Sequence, residues 1–278
     1  MSECGKLSIV GTPIGNMGDF SPRGAETLKN ADYIACEDTR VTAKLLGKID
    51  VKKPLLSYYK PKEHEKSEKI TALLLDGNNI ALVSDAGMPC VSDPGYILVK
   101  KCYELDIPVE VVPGANAAVC AVALSGLEAG RFTFEGFLPV DKKERAERLS
   151  EVKNLPHAIV FYEAPHKLAG TLSDLAEAFG EERNAALCRE LTKIHEETLR
   201  GALGELSRRY ETEEPRGEYV IVIEGKPHEK KLFSAEEAVI MAKKFIEDGM
   251  KASDACKEAA KITGVPKREI YSIIIERP

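Results

Sequence analysis

The stretch NIALVSDAGMPCVSDPG (79–95) decides the fold. Its apolar run IALV (80–83) has the composition of a strand buried on both faces. Directly after it come Asp85, Asp93, Pro89, Pro94 and several small residues, more turn chemistry than a simple chain reversal needs. In an open α/β sheet, ligands sit where such loops leave the carboxyl ends of strands.

Similar runs lie on either side. LSIVG (7–11), DYIACED (32–38) and PVEVVPG (108–114) read as strands, separated by helical patterns over 21–31, 64–77 and 94–106. That alternation predicts a mostly parallel, doubly wound sheet. After about residue 115 the pattern restarts with a small-residue helix over 117–126. A strand (131–137), a charged helix (141–154), a strand (157–164), a helix (166–180) and strands over 184–191 and 217–225 follow. The closely spaced β-branched and aromatic runs predict a mixed second sheet. The expected organisation is therefore an N-terminal α/β domain over 1–116 and a C-terminal α/β domain over 117–226, with the linking helix serving both. A helical extension over 230–278 completes it, three short helices in which Ala238, Met241, Ala242 and Phe245 share one face. Gly249 and Gly264 stand where helix C-caps want them, as in a helix–turn–helix; a packing appendage or dimer handle is the other reading.

The 278 residues suffice for two domains, and 44% apolar with 30% charged residues is a globular balance. No apolar run approaches the roughly 18 residues of a membrane span, and the N-terminus lacks the pattern of a signal peptide; a cytoplasmic location is expected. Seven cysteines without CxxC spacing predict reduced thiols, neither a disulfide framework nor a zinc site. A net charge of −6 does not advertise a nucleic-acid binder. Local clusters could offset it: residues 226–278 hold 11 Lys and Arg against 9 Asp and Glu, and Lys142, Lys143, Arg145 and Arg148 stand together mid-chain.

The first strand runs into GTPIG (11–15), a GxxxG loop with a proline inside. It lacks the third glycine and the clean helix start that hold a pyrophosphate, so it suits a cofactor without phosphates, or a plain tight turn. Glu37 and Asp38 end the second strand where a dinucleotide fold keeps its ribose-binding carboxylate, the basis for a competing nicotinamide-oxidoreductase reading. The broken glycine fingerprint opposes it. VPGANAA (112–118) repeats the small-residue theme at a third strand end. Three such loops at successive strand ends make one wall of one cleft.

GTPIGN (11–16), EDTR (37–40), SDAGMPCVSDPG (84–95), VPGANA (112–117), FEGFLP (134–139), FYEAPH (161–166) and RELTKIHEE (189–197) fall in the order found in one family. Together they resemble the tetrapyrrole methylase superfamily, and within it the branch that acts on small-subunit ribosomal RNA. The resemblance covers nearly the whole chain. It implies two α/β/α domains, S-adenosyl-L-methionine in the cleft between them, and no metal. It also implies 2′-O-methylation of a cytidine in the decoding region of 16S rRNA, on the RNA or the small ribosomal subunit, by a homodimer. Carried over, Asp85, Gly87 and Met88 would line the cofactor pocket beside Pro13, with Asn116, Ala117 and Ala118 approaching from the linking helix. Phe137, Leu138, Tyr162 and Leu191 would close it from the second domain. The superfamily's usual GxGxG loop is GTPIG here, which points away from porphyrinoid substrates.

A ribose hydroxyl is a weak nucleophile, so a carboxylate near it should help. Asp38, Glu163 and Glu190 are the candidates, all at predicted strand ends, and each could instead serve an ion pair. Arg40, Arg189 and Lys193 would bind phosphate or neutralise these acids, and the basic helix with Lys142, Lys143, Arg145 and Arg148 would meet RNA or form a solvated, ion-paired face. His64, His157, His166, His195 and His228 share no spacing and read as surface or core residues. A small-tetrapyrrole methylase and a ribosome-assembly factor without cofactor remain as alternatives.

Overall fold

The computed structural model describes residues 4–227 and 233–276, in two compact units spanning Met1–Lys226 and Pro227–Pro278. His228 lies outside the described residues. The first unit opens with β1 (Leu7–Val10), α1 (Pro22–Asn30), β2 (Tyr33–Cys36), α2 (Thr39–Lys48) and β3 (Leu55–Ser57). It continues with α3 (Glu63–Leu75), β4 (Ile80–Val83), α4 (Tyr96–Glu104) and β5 (Val109–Val112). These strands form a sheet in the order β3-β2-β4-β1-β5, with every pairing parallel. Side chains alternate across it: Leu7, Ala35 and Leu82 enter one apolar layer, Val10, Ile34 and Val83 the other. All four residues of β4 are therefore buried. Because the strands are parallel, the loops after β1, β2, β4 and β5 leave along one edge.

The second sheet is mixed, as its sequence predicts. α5 (Ala117–Ser125) leads into β6 (Phe132–Phe137), α6 (Lys142–Val152), β7 (Ala158–Glu163) and α7 (Leu168–Phe179). Then come β8 (Asn184–Arg189), β9 (Glu197–Ala202), α8 (Leu203–Tyr210) and β10 (Tyr219–Ile223). The order is β6-β7-β10-β8-β9, with only β6 and β7 parallel. The linking helix α5 packs on this sheet, Ala118 and Ala121 meeting Val160, Ala186, Cys188 and Val220, while Ile14 of the first loop joins the same cluster. Asn116 caps α5 by accepting the Val119 N–H at 3.0 Å. Four elements escape the sequence reading: α2, β3, β9 and α8. β3 is a three-residue edge strand, too short to show a period, and β9 is half-buried along its length.

In the second unit, α9 (Ala235–Glu247), α10 (Ala252–Thr263) and α11 (Lys267–Glu276) surround a small core of Ala238, Val239, Ala242, Cys256, Ala259 and Ile270. Met241 and Phe245 pack against it. Ser234 and Glu237 form a capping box at the start of α9, and left-handed Gly264 ends α10.

The strand-end loops of the first sheet are joined to one another. Thr12 and Gly87 exchange backbone hydrogen bonds at 2.9 and 3.1 Å, tying the loop after β1 to the loop after β4. Gly11 lies against Gly114 after β5, so that a Cβ on Gly114 would meet Gly11 Cα and C at 2.8 Å. Neither backbone can rotate away. Gly114→Ala should cost about 1–3 kcal/mol or more through forced backbone shifts. Gly47, on α2, has open space where a Cβ would go, and Gly47→Ala should stabilise by about 0.5–1 kcal/mol. Urea titration reads both, and midpoints moving in the same direction would contradict this packing.

Candidate active site

The joined loops form one wall of a cleft of about 530 Å³ within the first unit, a size typical of small-molecule sites at roughly 300–1,000 Å³. Ile14, Asp85, Ala86, Gly87, Met88, Val91, Ser92, Asp93, Asn116 and Ala117 line that side. Phe137, Tyr162, Glu163, Ala164, Pro165, His166, Cys188, Leu191, Lys193, Glu218, Tyr219 and Val220 line the other. A side chain at Gly15 would collide with Lys193 Cγ, so the first loop also touches the RELT segment of the second sheet.

Of the residues expected at the cofactor, Asp85, Gly87, Met88, Asn116, Ala117, Phe137, Tyr162 and Leu191 stand on the cleft wall. Pro13, Ala118 and Leu138 do not. Ala118 is buried behind the wall, where its N–H donates to the Tyr162 hydroxyl at 3.2 Å. Leu138 follows Phe137 on the chain, points the opposite way, and joins the core of the second sheet. A bulge between Phe134 and Gly136, with Gly136 at φ 66°, turns Phe137 toward the cleft. Phe137 and Phe134 each meet Tyr162 edge to face, at centroid distances of 5.6 and 4.9 Å. Met88 Sδ accepts the Gly114 N–H at 3.3 Å, adding a third tie between the loops.

The three carboxylate candidates separate clearly. Asp38 caps α2 and is gripped by Arg40, whose Nη2 lies 2.6 Å from Oδ2. The Arg40 side chain and then its backbone N–H hold the Asp38 carboxyl down to about 2, which makes it a weak base. It is not on the cleft wall. Glu190, at φ 50°, accepts from Lys193 Nζ at 2.8 Å and the Glu218 N–H at 3.0 Å. Burial acts to raise its pKa, but these donors bring it below the usual carboxylate range. It too lies off the wall. Glu163 alone lines the cleft, 4% exposed at the end of β7. It accepts the Ala164 N–H at 2.8 Å and the Thr171 hydroxyl at 2.5 Å.

The expected RNA-binding residues divide as well. Arg145 is turned inward, only 14% exposed, donating to Asp174 at 2.5 Å and to Thr171 at 2.7 Å. It is spent on α7 and is not free for phosphate, a correction to the sequence reading. Arg148 holds Glu135 and Glu151 at 2.5 and 2.9 Å, and Lys143 approaches Glu147 at 3.9 Å. Lys142 and Arg40 are exposed. His166, expected at the surface or in the core, lines the cleft. The APH turn that follows β7 is the available signal, since strand-end loops face this edge. Glu218 and Tyr219 escape the sequence reading because the preceding loop, 211–217, carries no small-residue signature.

Asp85 and Asp93 stand on the wall with Glu37 nearby, and burial followed by mutual repulsion raises the pKa of Glu37. For Asp93, burial raises the pKa, the Ser84 hydroxyl and the Lys60 ammonium lower it, and Asp85 raises it further. Burial likewise raises Asp85, against the Asp38 N–H that donates to it at 3.1 Å. Among the described residues no cluster suited to a metal ion occurs.

Two α/β lobes around one loop-walled cleft define a class. A family model described as Tetrapyrrole (Corrin/Porphyrin) Methylases matches residues 6–207. The solved methyltransferase CobJ shares the fold, with TM-score 0.61, 17% identity, and coverage of 80% of this chain and 94% of its own. So does uroporphyrin-III C-methyl transferase from Thermus thermophilus complexed with S-adenosyl homocysteine, with TM-score 0.56, 16% identity, and coverage of 80% and 97%. A second model, RsmI C-terminal HTH domain, matches residues 237–277. The curated protein "Ribosomal RNA small subunit methyltransferase I" of Synechocystis sp. is 41% identical over 273 residues, 98% of either chain. Its counterpart in Thermotoga maritima is 46% identical over 222 residues, 80% of this chain and 99% of its own. The chain belongs to the tetrapyrrole methylases and, within them, to the family of ribosomal RNA small subunit methyltransferase I.

The acid cluster sets a pH signature. A carboxyl whose folded pKa is raised binds its proton more tightly in the native state, so its ionisation opposes folding as pH rises through that pKa. Asp93→Asn should therefore raise the thermal midpoint at pH 7, by about 1–3 °C. The gain should vanish below about pH 4, where the carboxyl is protonated in both states. Calorimetric scans of both proteins across pH check this; a lower midpoint for the variant at pH 7 would show that the Ser84 hydrogen bond outweighs burial.

Proposed function

We propose that this chain transfers a methyl group from S-adenosyl-L-methionine to the ribose 2′-hydroxyl of a cytidine in the decoding region of 16S rRNA, with Glu163 receiving the hydroxyl proton. The observation that carries the reading is the position of Glu163: a buried, anchored carboxylate on the wall of the cleft where both lobes' loops converge. The relatives' shared name supports ribosomal RNA as the acceptor; the ribose oxygen and the cytidine are our reading.

The cleft fits the cofactor. Its loops approach through backbone and small side chains, without the helix-start glycine pattern of a phosphate site. Asp85 and Asp93 favour a cation on that wall, as the electron-rich faces of Phe137 and Tyr162 do. Asp85, Gly87, Met88, Asn116, Ala117, Phe137, Tyr162 and Leu191 would hold the cofactor, with Pro13, Ala118 and Leu138 supporting from behind. When bound, S-adenosylmethionine supplies the methyl group on a sulfonium, leaving as S-adenosylhomocysteine when the new O–C bond forms. Glu163 orients the hydroxyl and takes its proton, worth about 10²–10⁴-fold for a well-placed base. Lys142, Lys143, Arg40 and the outer part of Arg148 would meet phosphates, where charge attraction dominates affinity. The exposed Lys257 and Lys267 of the helical unit add a second basic surface. We place the enzyme in the cytoplasm as a homodimer acting on the RNA or the small subunit.

Calorimetry with S-adenosylhomocysteine, followed by mapping of 2′-O-methylation on small-subunit RNA with and without the protein, tests this. Glu163→Gln should lower the rate by about 10²–10⁴-fold with affinity for S-adenosylhomocysteine within a few-fold of wild type, while Asp38→Asn should fall much less. Cofactor-product binding without methylated RNA would assign another acceptor; no binding would assign an assembly factor. Separately, charge reversal at Lys142 and Lys143 should weaken RNA binding and flatten its dependence on salt, by roughly one unit of slope for each phosphate no longer neutralised. An unchanged slope in a filter-binding series would place the RNA elsewhere.

A further inference from the structure

Behind Glu163 stands a chain of polar groups that the cleft itself does not need. Arg145 on α6 donates through Nη2 to Thr171 Oγ1 at 2.7 Å, and Thr171 on α7 donates to Glu163 Oε2 at 2.5 Å. Asp174, one turn further along α7, accepts Arg145 Nε at 2.5 Å and so fixes the guanidinium. Thr171 is 1% exposed and the Arg145 side chain 14% exposed. The direction of the chain is forced by chemistry. A guanidinium only donates, so the hydroxyl must accept from it, and the single hydroxyl proton is left for the carboxylate. The Ala164 N–H holds the other oxygen, Oε1, at 2.8 Å. Each oxygen is thus held by one donor, and Glu163 lines the cleft.

We propose that Arg145 and Thr171 are positioning residues that lock the rotamer of Glu163 for the ribose hydroxyl, an inference that rests on the methyltransfer reading above. Neither residue lines the cleft. They act through Glu163 alone, which separates them from residues that shape the cofactor site.

Thr171→Val keeps the shape of the side chain and removes the relay; Thr171→Ser keeps the relay. The valine variant should lose about 10²-fold in kcat, with its affinity for S-adenosylhomocysteine within about threefold of wild type, and the serine variant should recover most of the rate. Since neither residue lines the cleft, KM for RNA should stay within about threefold of wild type. In a crystal structure of Thr171→Val the Glu163 carboxylate, freed of its Oε2 donor, should occupy more than one rotamer, and this readout needs no turnover. Arg145→Lys, which retains a charge for Asp174 but lacks the second arm to Thr171, should loosen the Glu163 carboxylate in the same way and serves if the valine variant does not fold. A single, wild-type rotamer of Glu163 in a folded variant overturns the relay, whatever the activity. A wild-type protein that binds S-adenosylhomocysteine but methylates no ribose overturns the function reading and the relay's purpose, even where Glu163 changes rotamer.

Discussion

The close approach of Gly11 to Gly114, backbone against backbone, is the contact on which the cleft depends. It joins the loops after β1 and β5 with no side chain between them. The Thr12–Gly87 bridge and the Met88 thioether then draw in the loop after β4. A loop that leaves a strand end is normally the mobile part of a sheet protein. Here three of them hold one another, so the wall is fixed before any ligand arrives. Preorganisation of that kind reduces the ordering cost of binding. It also explains why GTPIG forms no phosphate cradle: its backbone is committed to neighbouring loops rather than aimed outward.

Charge is distributed with a similar division. Lys193, on the cleft wall, is shared between Glu190 and Glu218 at 2.8 Å each, and Lys60 donates to the Ser92 carbonyl at 2.7 Å. The carboxylates Asp85 and Asp93 face the same space with few compensating cations. An acid-walled cleft attracts a sulfonium and repels a polyanion. On the proposed reading the RNA would be gripped outside the cleft, by Arg40, Lys142, Lys143 and the lysines of the helical unit, with only the reacting nucleoside admitted. That separation also accounts for a chain of net charge −6 acting on nucleic acid: the surplus of acid is an average over regions with different tasks.

Much of this is legible in the sequence, for a definite reason. Apolar runs such as IALV end in dense turn chemistry, and parallel connectivity places all such ends on one edge. The eight cleft-lining residues expected at the cofactor follow from that logic together with the family resemblance. What stays illegible depends on which way a side chain faces. Leu138 falls off the wall because a bulge at Glu135 resets the strand's alternation, an irregularity that a composition pattern does not reveal. Arg145 belongs to a basic cluster in the sequence, although a helix turns by about 100° per residue and, of that cluster, Arg145 is the one that pairs with α7. The choice among Asp38, Glu163 and Glu190 rests on partners elsewhere in the chain: Thr171 for Glu163, Glu218 for Glu190. Asp38 finds its partner two residues away, in Arg40, and Glu190 has a second one three residues on, in Lys193.

The site also divides its work between rigid and irregular backbone. Small-residue loops supply the binding wall, whereas Glu163 is the last residue of β7, an interior strand paired with β6 on one side and β10 on the other. Its register partner, Tyr219, lines the same cleft. A displacement reaction tolerates little error in the alignment of nucleophile and leaving group, and a misplacement of about 1 Å can cost 10²-fold. A carboxylate carried on a loop would add that loop's motion to the reacting distance. Fixed at a strand end, with α7 behind it, Glu163 inherits the stiffness of the sheet, and the burial that comes with that position is compensated by its hydrogen bonds. The donors at Ala164 and Thr171 are thus a condition for burying a carboxyl group at so rigid a place.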